Sequence, residues 1–167
     1  MTMTDILGLA GFFAVCFAVA SSGAVFKPGA WYAQLAKPAW CPPNWAFPVV
    51  WTILFVMIAV AGWMVWREAG FAGAPVALAL YGVQLVLNAA WSAIFFGLRR
   101  PDLALVELAV FWLAIAATII AFHAVSPAAA LVLAPYLVWV TIAAALNASI
   151  WRLNRDRPGF GAASFST

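Results

Sequence analysis

Five apolar runs, each long enough to cross a bilayer and parted by few charges, constrain this chain more than any other feature. A spanning helix needs roughly 20 apolar residues. The runs fall at about 6–26, 44–66, 74–97, 103–122 and 128–151. Hydrocarbon offers no partner to backbone N–H and C=O groups, so only helices and closed barrels cross it. Continuous runs without strict alternation exclude a barrel. The chain is 68% hydrophobic and 8% charged, where a soluble domain carries about 25% charged residues. Lipid must therefore cover most of its surface. The expected fold is all-α: an integral, multi-pass five-helix bundle forming one transmembrane domain over 1–167.

The first run resembles a secretory leader, with Ala18-Val19-Ala20 mimicking a cleavage site. The segment before it has no Lys or Arg and carries Asp5, so it reads as a retained helix. Basic residues give the orientation. Lys27, Lys37, Arg99, Arg100, Arg152, Arg155 and Arg157 share one side of a five-span topology, and Arg67 stands on the other. The positive-inside rule then puts the N-terminus outside and the C-terminus in the cytoplasm. The net charge of +3 reflects this topology. Dispersed cations make no nucleic-acid surface.

The links at 67–73, 99–102 and 123–127 are short, as antiparallel neighbours require. The link at 27–43 is long, with Trp31, Tyr32, Leu35 and Trp40 among stiffening prolines. Disordered segments are aromatic-poor. Two readings stand: an ordered lid over the cytoplasmic end of the bundle, or an aromatic belt at headgroup depth. Pro43 suits the first turn of the second span. Pro135 inside the fifth removes a backbone hydrogen bond and predicts a kink one turn before Trp139.

Three stripes stand out. Phe47, Trp51, Phe55 and Ile58 share one face of the second span. Gln84, Asn88 and Trp91 do so on the third, and Trp139, Ala143 and Asn147 on the fifth. Amides in hydrocarbon need partners, so these faces turn inward. Each stripe alone reads as core packing, but three together with an aromatic loop point to a pocket with flat tryptophan faces. Glu107, near the start of the fourth span, suits a helix N-terminus at the interface. His123 stands alone, and Cys16 and Cys41 form no metal or disulfide motif. Trp63, Trp66 and Trp151 read as belt residues, and Trp112 faces either lipid or a neighbouring helix. A close-packed face for helix association is offered by Ala77, Tyr81, Gly82 and Leu85, and small residues also lie at Gly8, Gly11 and Gly23.

The block WYAQLAKPAWCPPNWAFPVVWTILF, beginning at Trp31, has the pattern WY-x-x-L-x-KP-x-W-x-PP-x-W-x-FP-x-x-WT. With YGVQLVLNAAWSAIFFGLRRP in the third span and PYLVWVTIAAALNASIWRLN in the fifth, it resembles the TspO/MBR translocator protein family of tryptophan-rich sensory proteins, in its bacterial form. The resemblance implies a five-helix bundle, commonly a homodimer, with a ligand cavity near the cytosolic end under the first loop. It implies tetrapyrrole ligands such as protoporphyrin IX and haem. Sterols, isoquinoline carboxamides and benzodiazepines follow from relatives. No cofactor is required; porphyrin enters as ligand. Carried over residue by residue, the pocket positions are Tyr32, Trp40, Phe47, Trp51, Phe55, Asn88, Trp91, Trp139, Ala143 and Asn147.

Some bacterial members are associated with light-dependent degradation of protoporphyrin IX, and the two tryptophans concerned match Trp51 and Trp139. One departure concerns sterols. The stretch 146–152 reads LNASIWR and lacks the tyrosine of the sterol motif in animal relatives. The expected function is a membrane tetrapyrrole-binding sensor or regulator of porphyrin levels. A porphyrin-degrading photo-enzyme and a passive transporter of porphyrin, sterol or lipid are the alternatives. The residues do not choose between a bacterial inner and outer membrane.

Overall fold

The computed structural model describes residues 2–157 and 160; the rest of the domain expected over 1–167 lies outside the described residues. The described residues form helices and no strand. The helices are α1 (Met3–Val25), α2 (Ala30–Gln34), α3 (Ala46–Gly73), α4 (Pro75–Ser92), α5 (Pro101–Val125) and α6 (Pro127–Asn154). A π-helical turn, Ala93–Gly97, continues α4. Five of these helices, with α4 and its π turn counted together, are long and apolar enough to cross a membrane. The chain is an integral, multi-pass membrane protein.

The helix ends depart from the expected ones for local reasons. α1 starts earlier, at Met3, because Thr2 and Asp5 cap it reciprocally. Asp5 N–H donates to Thr2 Oγ1 at 3.2 Å, and Thr2 N–H donates to Asp5 Oδ2 at 2.7 Å. The second span does not stop at Trp66. α3 carries Arg67 and Glu68 inside it, because both charges find partners. The Arg67 guanidinium lies 4.4 Å from the centre of the Trp63 ring. Glu68 Oε1 accepts from Ser126 Oγ at 3.0 Å. The expected link at 67–73 is thus helical, broken only at Gly70, whose φ of +67° favours glycine. Pro43 precedes α3 by a turn, its carbonyl accepting from Ala46 N–H at 2.9 Å. α6 continues through Pro135 as one helix.

Around the bundle the helices follow one another as α1, α3, α6, α5 and α4, with α4 returning to α1. The main partners of α3 are α1 and α6, despite the one-residue link that joins it to α4. Gly62 explains the arrangement. A Cβ there would lie 2.7 Å from Tyr81 Cζ and 2.9 Å from Phe12 Cδ1, so its absence lets α1, α3 and α4 meet at one point. Small buried residues (Ala59, Ala61, Ala74, Ala77, Ala129 and Ala130) seal this half of the bundle. Three residues expected on an outer association face, Ala77, Tyr81 and Leu85, are buried here within one chain. Gly8 is also used internally, against the Trp66 ring, whereas Gly11 and Gly23 have open space. Trp63 is a strut rather than a belt residue: it is buried and its Nε1 donates to the Asp5 carbonyl at 2.9 Å. Trp112 faces a neighbour, donating to Thr141 Oγ1 at 2.9 Å.

At the opposite end the long first link packs on the bundle. Tyr32 and Leu35 join Phe95, Ala104, Leu146 and Ile150 in a second apolar core. Asn154 pins the segment from α6. Ala36 N–H donates to Asn154 Oδ1, and Asn154 Nδ2 donates to the Ala36 carbonyl, both at 2.9 Å. Lys37 Nζ donates to the carbonyls of Tyr32 and Leu35 at 2.7 and 3.2 Å, which closes the turn after α2.

Two outcomes are expected. Asn154→Ala removes both bonds to Ala36 and costs about 2 kcal/mol, read as a lower thermal midpoint with faster proteolysis within 27–43. Burial, with Cys41 acting the same way, pushes the Tyr32 phenol up from 10.0 to about 12. An unfolded chain loses this proton first, so the contribution of Tyr32 is whole below pH 10 and lost as pH rises towards 12. The thermal midpoint falls across that window, and Tyr32→Phe flattens the fall.

Candidate functional site

The half of the bundle beneath α2 is open. A cavity of about 770 Å³ lies there, bounded by all five spanning helices and by Tyr32. Its walls are almost wholly apolar. From α3 come Phe47, Trp51 and Phe55, one turn apart on a single face. Asn88 and Trp91 come from α4, and Trp139, Ala143 and Asn147 from α6. Nine of the ten sequence-derived positions therefore border one space, Tyr32 included. Trp40 does not: it sits in a turn of the first link, half exposed, away from the lining. A tryptophan in an aperiodic loop gives no facial signal, so its direction was not readable from spacing.

Phe47 and Trp139 meet edge to face with ring centroids 6.0 Å apart at 68°, and Trp51 lies 5.7 Å from Phe55, tilted 36° against it. Trp91 stacks on Phe95 at 5.2 Å and 26°, and Phe96 closes on Phe95 at 4.8 Å and 70°. Phe95 and Phe96, adjacent in the π turn, both line the cavity.

Behind Asn88, which lines the cavity, lies a buried polar cluster. Tyr136 is fully buried; its hydroxyl accepts from Asn88 Nδ2 and donates to Gln84 Oε1, each at 2.9 Å. The amides expected to face inward on α4 do so, and Tyr136 is the partner that sequence reasoning missed. Its signal was present: it stands one turn before Trp139 and Val140 on the face that continues to Ala143 and Asn147. Asn147 Nδ2 donates to the Pro101 carbonyl at 3.2 Å and ties α6 to the start of α5. Also missed was α1, which contributes Phe13, Cys16 and Val19. Its apolar residues run all round, so no stripe marks an inner face. Cys16, read as a plain small residue, lies 3.3 Å from Tyr81 Oη and lines the cavity.

Several polar atoms find no partner among the described residues: Trp91 Nε1, Trp139 Nε1, Asn147 Oδ1, Gln84 Nε2 and both oxygens of Glu107. Glu107, expected at the interface near a helix start, has both carboxyl oxygens buried. No group of three or more His, Cys, Asp or Glu that could hold a metal exists among the described residues. The site offers flat aromatic faces and a few hidden polar edges for a large apolar ligand.

Replacing Tyr136 by Phe keeps the ring and removes the hydroxyl. Asn88 Nδ2 and Gln84 Oε1 are then stranded in hydrocarbon, at a cost of about 2 kcal/mol. Thermal unfolding in detergent checks this, and an unchanged midpoint would mean that water or the two amides restore the bonds.

Residues 12–152 match the family described as the TspO/MBR family. The chain is 42% identical over 147 residues to "Protein CrtK" of Rhodobacter capsulatus, covering 86% of this chain and 90% of the relative. It is 43% identical to the "Tryptophan-rich sensory protein" of Cereibacter sphaeroides, covering 88% and 91%. It is 45% identical over 131 residues to the human "Translocator protein", covering 77% and 78%. The match spans every wall of the cavity, and the chain belongs to the TspO/MBR family.

Proposed function

We propose that this protein binds a tetrapyrrole such as protoporphyrin IX or haem within the membrane and acts as a sensor or regulator of porphyrin levels. The observation that carries the reading is the aromatic-walled cavity of about 770 Å³. Small-molecule pockets span about 300–1,000 Å³ and are mostly apolar with few polar groups. A planar macrocycle gains most from flat indole faces, and Trp51, Trp91 and Trp139 border the space. The names of relatives, sensory protein and translocator protein, support a sensing or transporting role. In this reading the N-terminus is outside and the α2 end of the bundle, with Lys27 and Arg99 beside it, is cytoplasmic. A homodimer is the proposed assembly.

A second reading is enzymatic. Trp51 and Trp139 border the same cavity, so a light-excited porphyrin bound there has two oxidisable indoles beside it. The test separates the readings. Protoporphyrin IX is mixed with purified protein at equal concentration and followed by absorbance in light and in darkness. Saturable binding is expected, weakened about tenfold or more by Trp139→Ala. A defined product formed in light by the wild type, but not by Trp51→Phe or Trp139→Phe variants that still bind, supports the enzyme. Decay at equal rates in all three supports the sensor. Absence of binding sinks both.

A further inference from the structure

The walls of the cavity are unevenly covered. Every lining residue on α4, its π turn, α5 and α6 is buried or half-buried. The exposed ones lie on α1 (Phe17, Gly23 and Ala24), on α3 (Pro48, Thr52 and Val56) and in the link that joins these two helices. Phe17 is 76% exposed and Val56 45%, although both border the cavity. The opening is therefore a side slot between α1 and α3. Both helices are long and apolar enough to cross a membrane, so the slot faces hydrocarbon.

The same seam is closed in its other half. Trp63 Nε1 of α3 donates to the Asp5 carbonyl at 2.9 Å, the Trp66 ring fills the space at Gly8, and Phe12 lies against Gly62. Beyond Phe12, no hydrogen bond, ion pair or aromatic pair joins α1 to α3 among the described residues. The sequence gives the reason: residues 20–24 of α1 read ASSGA, too small to span the gap. A Cβ at Gly23 would meet nothing within 4 Å. Thr52 on the rim and Ser21 beside it spend their hydroxyls on their own helices, donating to the carbonyls of Pro48 and Phe17, each at 2.8 Å. The α2 end, by contrast, is shut. Tyr32 and Leu35 pack there on Phe95, and Asn154 pairs twice with Ala36.

We propose that the slot between α1 and α3 is a lateral portal, through which the cavity takes its ligand from the hydrocarbon of the bilayer rather than from water past α2. The inference rests on the tetrapyrrole reading and adds the phase that supplies the ligand: an apolar molecule already dissolved in the membrane. Such a molecule passes from lipid to aromatic walls without hydrating its apolar surface on the way. Passage past α2 must break the contacts of Tyr32, Leu35 and Asn154, whereas passage through the slot leaves them in place. Only Cys16 is buried along α1, so the α1 side of the portal is lightly held and yields to a planar ligand.

Protoporphyrin IX is the probe. It is mixed by stopped flow with the full chain in detergent, and porphyrin fluorescence gives the association and release rates. Gly23→Trp narrows the slot from α1, and Thr52→Trp narrows it from α3. Each is expected to slow association and release together, about tenfold, while Asn154→Ala, which loosens α2, keeps the wild-type rates. Slowing of both rates by either rim variant supports the portal, and any other pattern overturns it. A change in release alone shows that the substituted residue touches the bound ligand and not its path. Wild-type rates in both variants are the result if lipid or a second copy of the chain closes the slot. Faster association and release in Asn154→Ala put the gate at α2 and overturn the portal whatever the rim variants do, leaving the tetrapyrrole reading standing. Absence of binding by the wild type overturns both.

Discussion

The hydroxyl of Tyr136 joins the two halves of this bundle. It accepts from Asn88 and donates to Gln84, so α4 and α6 are fixed to each other by hydrogen bonds that hydrocarbon cannot replace. Its ring is fully buried, with Trp51 of α3 and Phe111 of α5 set edge-on at 6.3 and 6.0 Å. One side chain therefore gathers four helices. On one side of it small residues let the helices close, with Gly62 admitting the Tyr81 ring. On the other side aromatic residues keep the helices apart, and the cavity begins.

That division explains why a chain with such apolar helices encloses an open space. Helix association in lipid has no hydrophobic drive of its own, since tails are as apolar as leucine; it relies on close packing and polar contacts. Both are concentrated in the sealed half, through Gly62, Cys16 with Tyr81, Trp63 with Asp5, and Glu68 with Ser126. The open half is held at its end instead, where Asn154 clasps Ala36 and the Tyr32 ring packs on Phe95 and Phe96.

Legibility in the sequence tracked periodicity. The five spans were readable from apolar length, and the stripes on α3, α4 and α6 from amides and aromatics at helical spacing. Each failure lies where the 3.6-residue period gives no information. α1 is apolar on every side, and only Cys16 is buried along it, so its inner face has no mark. The end of α3 was hidden because Arg67 and Glu68 read as charges outside a span, whereas Trp63 and Ser126 accommodate them. Trp40 lies in a turn, where neighbouring residues say nothing of direction. Tyr81 and its neighbours do form a close-packed face, but they spend it on α1 and α3 within one chain, where Gly62 admits the ring.

The π turn is where this limit matters most. It carries Phe95 and Phe96, which both line the cavity, and Trp91 stacks on Phe95. It also ends α4 abruptly: Leu98 N–H returns to the Ala93 carbonyl at 2.9 Å and Arg100 N–H to the Ile94 carbonyl at 3.2 Å. With those bonds made, Arg99 is turned into the left-handed region and Arg100 is free to pair with Asp102 at the start of α5. A local change of helical period thus ends α4 and sets the entry into the next helix.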